Sequence, residues 1–295
     1  MNHADGDGAF GEIAAFDQVR GRLFGIAYRM LGSRAEAEDV VQETYVRWHE
    51  TDRTAIRNPE AWLVTACTRL AIDRLRALKT ERDAYTGPWL PEPLMVEEPP
   101  PDWKVELASD LSIAFLALLE RLGPEERAAF LLHDIFDCSY GDISRLLGKS
   151  EAACRQIVHR ARERVQQQRK RYEASETARV RLLKNFVAAM EARDEAKLLE
   201  LLAPDATWTA DGGGRVAAAR RPIVGGARIA HFLVGLMRRF YAGGASFHLA
   251  VVNGEPGLVV RQQGRVTSVV AVETDGTRIV NAYVVVNPEK LRYVN

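Results

Sequence analysis

The stretch YGDISRLLGKSEAACRQIVHRAR, residues 140–162, decides how this chain is read. Its apolar spacing predicts a short helix ending at Leu147 and a second helix starting near Glu151. Gly148 can take the left-handed conformation that a sharp turn requires. Ser150 stands where it can cap the second helix, a contribution of about 1 kcal/mol. This is the helix-turn-helix plan, in which the second helix enters the major groove of DNA. Ala153, Ile157, Ala161 and Val165 recur every fourth residue and are expected to face inward, leaving Arg155, Gln156, His159, Arg160 and Arg162 outward. Arginine can read guanine with two hydrogen bonds and glutamine can read adenine, each pair giving about 1–3 kcal/mol of base discrimination. Arg164, Arg169, Lys170 and Arg171 suit phosphates, which position without specifying. Taken alone, the segment also fits a solvated basic face, because helical proteins that bind no DNA use the same geometry.

The charge distribution separates these readings better than the net charge of zero. Residues 1–176 carry 24 Lys/Arg and 30 Asp/Glu, whereas residues 177–295 carry 16 and 10. From Lys149 to Arg171 there are eight basic and two acidic residues, a block dense enough to hold phosphates. The acidic remainder limits indiscriminate DNA binding. No apolar run reaches the roughly 18 residues of a membrane span. The polar Met1–Gly11 segment lacks the pattern of a secretory signal, so a cytoplasmic protein is expected. Cys67, Cys138 and Cys154 are odd in number and scattered, with no CxxC and no histidine at metal-ligand spacing. They are expected as reduced thiols, with no metal or cofactor.

At 295 residues the chain is long for one core. Helical periodicity predicts helices over Phe16–Leu31, Glu36–Glu50, Glu60–Asp83, Leu107–Leu122, Arg127–Asp137, Ser139–Leu147 and Glu151–Arg171. A Pro-rich segment from Tyr85 through Pro99–Pro101 interrupts them. Because it carries Trp89 and Leu90, it is expected to dock on something. After Ser175 the pattern changes to helices over Ala178–Ala192 and Glu195–Leu202 and another near Arg228–Tyr241. Strand-like runs cover Ala206–Ala210, Phe247–Val252, Gly257–Gln262, Val266–Glu273 and Arg278–Val286. Gly-containing turns between the last strands suggest an antiparallel sheet. The coarse picture is two helical domains followed by an α+β domain.

Residues 34–48, RAEAEDVVQETYVRW, together with NPEAWL at 58–63, RLAIDRLR at 69–76, GPEER at 123–127 and the helix-turn-helix, resemble the extracytoplasmic-function sigma factors. The resemblance implies that Asp39, Gln42 and Glu43 form an acidic ridge docking on core RNA polymerase. It also implies that Asn58, in the loop from Asp52, and the helix carrying Arg69, Arg76 and Lys79 bind the melted minus-ten element of promoter DNA. Asp73 is spaced to pair with Arg69 on that helix. Arg155, Gln156, His159 and Arg160 match the positions that contact the minus-thirty-five element. GPWLPEP at 87–93, DGGGRV at 211–216 and NPEKL at 287–291 resemble signatures of the subgroup with a fused SnoaL-like domain. Glu289 stands where that subgroup usually has Asp, and the charge is kept. The implied organisation is a sigma-2 domain over 12–84, a linker over 85–105, a sigma-4 domain over 106–172 and a cone-shaped SnoaL/NTF2-like α+β domain over 177–295.

In that subgroup the fused domain is thought to control activity. Trp89, Leu90 and Pro91 of the linker, the loop Asp211, Gly212, Gly213 and Gly214, and Asn287, Pro288 and Lys290 of the tail are therefore expected to meet as a latch. A small ligand could bias it. Enzymatic use would call for His231, His248 or Asp211 in a pocket. No compact Asp/His constellation is visible, and none of them is assigned a catalytic role. A helix-turn-helix repressor with an effector domain is the competing class; it would bind its operator without polymerase.

Overall fold

The computed structural model describes residues 4–52, 54, 56–95, 111–167, 174–241 and 243–294, with side chains from Phe16 onward. The chain forms two compact units. The first holds the chain up to Thr80 and the part from Leu118 through the helix-turn-helix. The second holds the linker from Glu81, residues 111–117 and the C-terminal part.

In the first unit α1 (Ala4–Leu31) and α2 (Arg34–Glu50) form a hairpin at Gly32-Ser33, where Ser33 caps α2 by accepting from the Glu36 amide at 3.4 Å. The expected start near Phe16 is corrected: α1 begins twelve residues earlier, since the low propensity of Gly6, Gly8 and Gly11 is only a weak local bias. α3 (Pro59–Asp83) starts on a proline at its first position, and Asn58 accepts from the Ala61 amide at 3.0 Å. Leu23, Ala27, Leu31, Val40, Leu63, Cys67 and Leu70 make the core here. The Cys67 thiol donates to Leu23 O at 3.5 Å, and burial pushes its pKa up to about 12, so it stays protonated.

α4 (Ile113–Leu119) is shorter than expected; the start predicted at Leu107 and the prolines Pro99–Pro101 lie outside the described residues. α5 (Pro124–Asp134) is offset from the expected 127–137. Pro124 supplies its first turn, Glu126 accepts from the Gly123 amide at 3.1 Å, and the left-handed Asp137 follows its end. α6 (Tyr140–Leu147) and α7 (Glu151–Gln166) complete this unit. Arg127 of α5 is 1% exposed. Its guanidinium donates to Met30 O at 2.5 Å and to Glu120 at 2.7 Å, so one buried cation ties α5 to the end of α1.

In the second unit α8 (Glu176–Ala192), α9 (Glu195–Leu201) and α10 (Gly226–Phe240) pack on one face of a six-stranded sheet. Its strands are β1 (Leu202–Asp211), β2 (Ile223–Val224), β3 (Ser246–Val252), β4 (Glu255–Gln262), β5 (Arg265–Thr274) and β6 (Ile279–Val285), in the order β2-β1-β6-β5-β4-β3. β3 to β6 form the expected antiparallel meander. β1, however, runs parallel to β6, which the long excursion through α10 and the meander permits. The two-residue β2 carried no strand signal. Side chains alternate across the sheet. Trp208, Leu258, Val270 and Val284 face the helices, while Val259, Val269 and Val285 face the other way. That second face is covered by Leu90 and Met95 of the linker, by Ile113 and by the tail residues Leu291 and Val294. α11 (Pro288–Leu291) is capped by Asn287, which accepts from the Glu289 amide at 3.0 Å. Among the described residues no helix is long and apolar enough to cross a membrane.

Arg127→Ala leaves Glu120 and the Met30 carbonyl without their buried partner. The expected loss is about 3 kcal/mol, read as a lowered urea midpoint at unchanged slope for the full chain.

Candidate nucleic-acid interface and linker latch

The turn between α6 and α7 is built as the sequence suggests. Gly148 sits at φ 64°, and an added Cβ would meet nothing within 4 Å, so conformation rather than crowding demands glycine there. Ser139 accepts from the Asp142 amide at 3.1 Å and Ser150 from the Ala153 amide at 3.2 Å, capping the two helices. The inner face of α7 is Cys154, Ile157, Val158, Ala161 and Val165. Ala153, expected inside, is only half-buried, because 3.6-residue periodicity rotates a strict i+4 row off the core. Arg155, Gln156, His159, Arg160 and Arg164 are exposed. Arg155 pairs with Glu151 at 2.8 Å and lies 5.3 Å from the Tyr140 ring centroid, while His159 lies 3.5 Å from Glu163. Gln156 and Arg160 have no partner among the described residues. Arg162 departs from expectation: both of its terminal contacts go to Asp134, at 2.9 and 2.6 Å, so it clamps α7 to α5 instead of facing solvent freely. That carboxylate also raises the pKa of its guanidinium. Arg169, Lys170 and Arg171 lie outside the described residues.

On α2, Asp39, Gln42 and Glu43 are exposed along one helical stripe. Val46, 46% exposed, continues the stripe by one turn. Glu43 is braced by Arg47 at 2.7 Å. On α3 the residues expected to hold DNA are engaged within the first unit. Arg69 donates to Leu146 O at 3.3 Å and Arg145 O at 3.2 Å, at the carbonyl end of α6. Arg76 bonds to Asp73 at 3.1 Å and to Glu125 at 2.7 Å. The expected Asp73–Arg69 pair is therefore replaced by Asp73–Arg76. Lys79 is exposed, and so is Asn58 at its cap position. Residues 53 and 55 of the loop before α3 lie outside the described residues.

In the second unit the structure brings together the linker, the triple-glycine loop and the tail around one carboxylate. Asp211 is 0% exposed. It accepts from the Tyr85 hydroxyl at 2.6 Å, the Leu90 amide at 2.8 Å and Lys290 at 2.7 Å. Its backbone carbonyl accepts from the amides of Val286 and Asn287 at 2.8 and 2.9 Å. Lys290 also donates to Leu90 O at 2.5 Å and lies 3.9 Å from the Trp89 ring centroid. Arg82 lies 4.1 Å from the same indole. Asn287 donates to the Tyr85 hydroxyl at 2.9 Å. Burial, then the bond and charge of Asp211, raise the Tyr85 pKa, so the phenol keeps the proton it donates. Gly213, at φ 58°, has no room for a Cβ, which would strike Asn287 and stand 2.8 Å from the Tyr85 hydroxyl. Pro91 is buried, and Pro288 opens α11.

Two latch residues carried no assigned role in the sequence reading. Tyr85 opens the Pro-rich segment with no local signal of a partner. Asn253 sits left-handed in an Asn-Gly hairpin turn; its side chain accepts from the Leu94 amide at 2.9 Å and donates to Leu111 O at 3.0 Å. The Asn-Gly pair signals the hairpin, but nothing local signals the reach to the linker.

A cavity of about 400 Å³ lies between the sheet and the helices, lined by residues such as Trp208, Phe232, Tyr241 and Ser268. Neither His231 nor His248 lines it; both are exposed and bond locally to Glu195 and Ser246. Asp211 belongs to the latch. The three groups weighed as acid or base are thus apart from one another and from the cavity.

Residues 15–81 match the family model for sigma-70 region 2, residues 112–165 that for sigma-70 region 4, and residues 183–287 that for the SnoaL-like domain. The chain is 40% identical over 251 residues to the ECF RNA polymerase sigma factor SigJ of Mycobacterium tuberculosis, covering 83% of this chain and 80% of that one. This chain belongs to the extracytoplasmic-function sigma factors. It is also 29% identical to the probable ECF RNA polymerase sigma factor SigI of the same organism, over 94% of both chains. The crystal structure of M. tuberculosis SigJ superposes with a TM-score of 0.75 at 32% identity, covering 95% of this chain and 98% of that one. The sigma-factor architecture of helical regions 2 and 4 followed by a SnoaL-like α+β domain is therefore established, and the family is one of transcription initiation factors, not enzymes.

Asp211→Asn strips Lys290 of its buried counter-charge and is expected to cost about 3–5 kcal/mol. Tyr85→Phe, which loses the bond donated to the charged Asp211 and the one accepted from Asn287, should cost about 2–3 kcal/mol. Chemical melts of the three full-length proteins check the order; equal stabilities would rule out Asp211 as the organising group.

Proposed function

We propose that this sigma factor joins core RNA polymerase through the α2 ridge of Asp39, Gln42 and Glu43, engages melted promoter DNA with α3, and reads an upstream element with α7. The C-terminal domain sets its activity by holding the linker. The proposed division is a sigma-2 domain over 12–84, a linker over 85–105, a sigma-4 domain over 106–172 and a regulatory domain over 177–295. The protein works beside the polymerase in the cytoplasm, with no membrane partner, and its C-terminal domain takes a small ligand. The observation that carries the regulatory part is the Asp211 carboxylate, bonded at once to Tyr85 and Leu90 of the linker and to Lys290 of the tail.

Gln156 and Arg160 are exposed on α7 and have no partner among the described residues, which favours them for base or phosphate contact. The ion pairs of Arg155 and His159 are with exposed partners, and such pairs contribute about 0–1 kcal/mol, so DNA can displace them. The same holds for Arg76 with its exposed carboxylates. Arg69 is held by two carbonyls, and binding DNA through it requires α3 to part from the end of α6.

Core-polymerase pull-down and run-off transcription test this reading. Asp39→Lys combined with Glu43→Lys should abolish capture of core polymerase without shifting the melting temperature, because both side chains are exposed. Polymerase capture at the original level would sink the assignment of α2. Arg160→Ala should weaken promoter binding by about 1–3 kcal/mol with stability unchanged. Arg162→Ala should instead lower stability, and equal behaviour of the two in both measurements counts against the division drawn here. Lys290→Gln should change transcript yield from a target promoter; an unchanged yield ends the case for linker control.

A further inference from the structure

The cavity of the second unit has a wall of unusual uniformity. Among the described residues no Asp, Glu, Lys, Arg or His lines it. An ionic ligand would lose hydration there with no counter-charge to offset it. Trp208, Phe232, Phe240, Tyr241 and Phe247 supply aromatic surface, which favours a ring-bearing occupant. The volume, about 400 Å³, falls within the roughly 300–1,000 Å³ of small-molecule sites. Gln262 and Thr267 are committed to the carbonyls of Phe240 and Val260 at 2.7 and 3.3 Å. Trp208 and Ser268 add an indole N–H and a hydroxyl to the wall, neither of them hydrogen-bonded to another described residue. A neutral ligand bearing a carbonyl or ether oxygen would satisfy them.

The cavity also touches the latch from behind. Ala210 lines it, and the next residue along β1, Asp211, is the latch carboxylate on the opposite face. Leu291 of α11 lines the cavity and packs in the same apolar cluster as Leu90 of the linker. Its neighbour Lys290 bonds both Leu90 O and Asp211. We propose that this cavity binds a neutral, predominantly aromatic small molecule and that the linker senses its occupancy through α11. The inference rests on the reading that the C-terminal domain acts through the linker.

The full-length protein is titrated with 1-aminoanthracene, a neutral fused-ring amine, and its fluorescence followed. A saturable single-site rise is expected. Ala217→Trp, at an exposed lining position, should weaken binding about tenfold or more, and the anionic dye 1-anilinonaphthalene-8-sulfonate should bind about tenfold more weakly than the neutral one. Equal binding by the plugged variant overturns the site, and equal binding of the anion overturns the ligand class. Amide exchange at Leu90 and Leu94 should slow on saturation more than at Leu233 in α10, and Lys290→Gln should bind the dye yet lose that extra protection. Dye binding without selective protection overturns the sensing step. Transcription by Lys290→Gln, measured without dye, is an independent readout: yield equal to the parent with dye binding intact defeats the regulatory reading and leaves the cavity assignment standing.

Discussion

A carboxylate shut away from water must be surrounded by donors, and the second unit is arranged to surround Asp211. The donors come from two distant places in the sequence: Tyr85 and Leu90 of the linker, and Lys290 of the tail with Asn287 acting through the Tyr85 hydroxyl. None is a sequence neighbour of Asp211, so the ion pair and its bonds exist only when linker, strand ends and tail are assembled. Gly213 fits the same scheme, since any side chain there would displace Asn287 and Tyr85.

The energetic weight of contacts divides the molecule into fixed and exchangeable parts. Lys290 with Asp211 and Arg127 with Glu120 and Met30 O are buried and expensive to break. The pairs made by Arg76, Arg155 and His159 are exposed and cheap. The residues proposed to contact DNA must fall in the second class if they are to trade internal contacts for phosphates. Arg162 belongs nearer the first, through its two bonds to Asp134.

How much of this was legible depended on whether the cause was local. The helix-turn-helix could be read because a left-handed glycine, the Ser150 cap and an apolar stripe are all short-range signals, while the Ser139 cap came only with the structure. The meander could be read from alternation and Gly turns. The parallel pairing of β1 with β6 could not, because it joins segments about seventy residues apart. The same limit hid the partners of Arg69, Arg76 and Arg162: helical spacing identifies the face on which a guanidinium lies but not the carbonyl or carboxylate that another helix brings to it. The proline and tryptophan content of the linker announced that it would dock, and the family signatures suggested where. Only the coordinates reveal Tyr85 and Asn253 as the side chains that hold it.

The covering of the sheet's outer face has a consequence for how the fusion is dissected. Leu90, Met95 and Ile113 lie outside the segment matched as SnoaL-like, yet they close its outer hydrophobic layer together with Leu291 and Val294. A fragment beginning at the family boundary would present Val259, Val269 and Val285 to water. Cutting the chain inside β1 would leave Leu90 and Leu94 stranded on an unsupported tether. The apolar layer therefore does not stop at the family boundary: it takes in the linker and Ile113, which belongs to the segment matched as sigma-70 region 4.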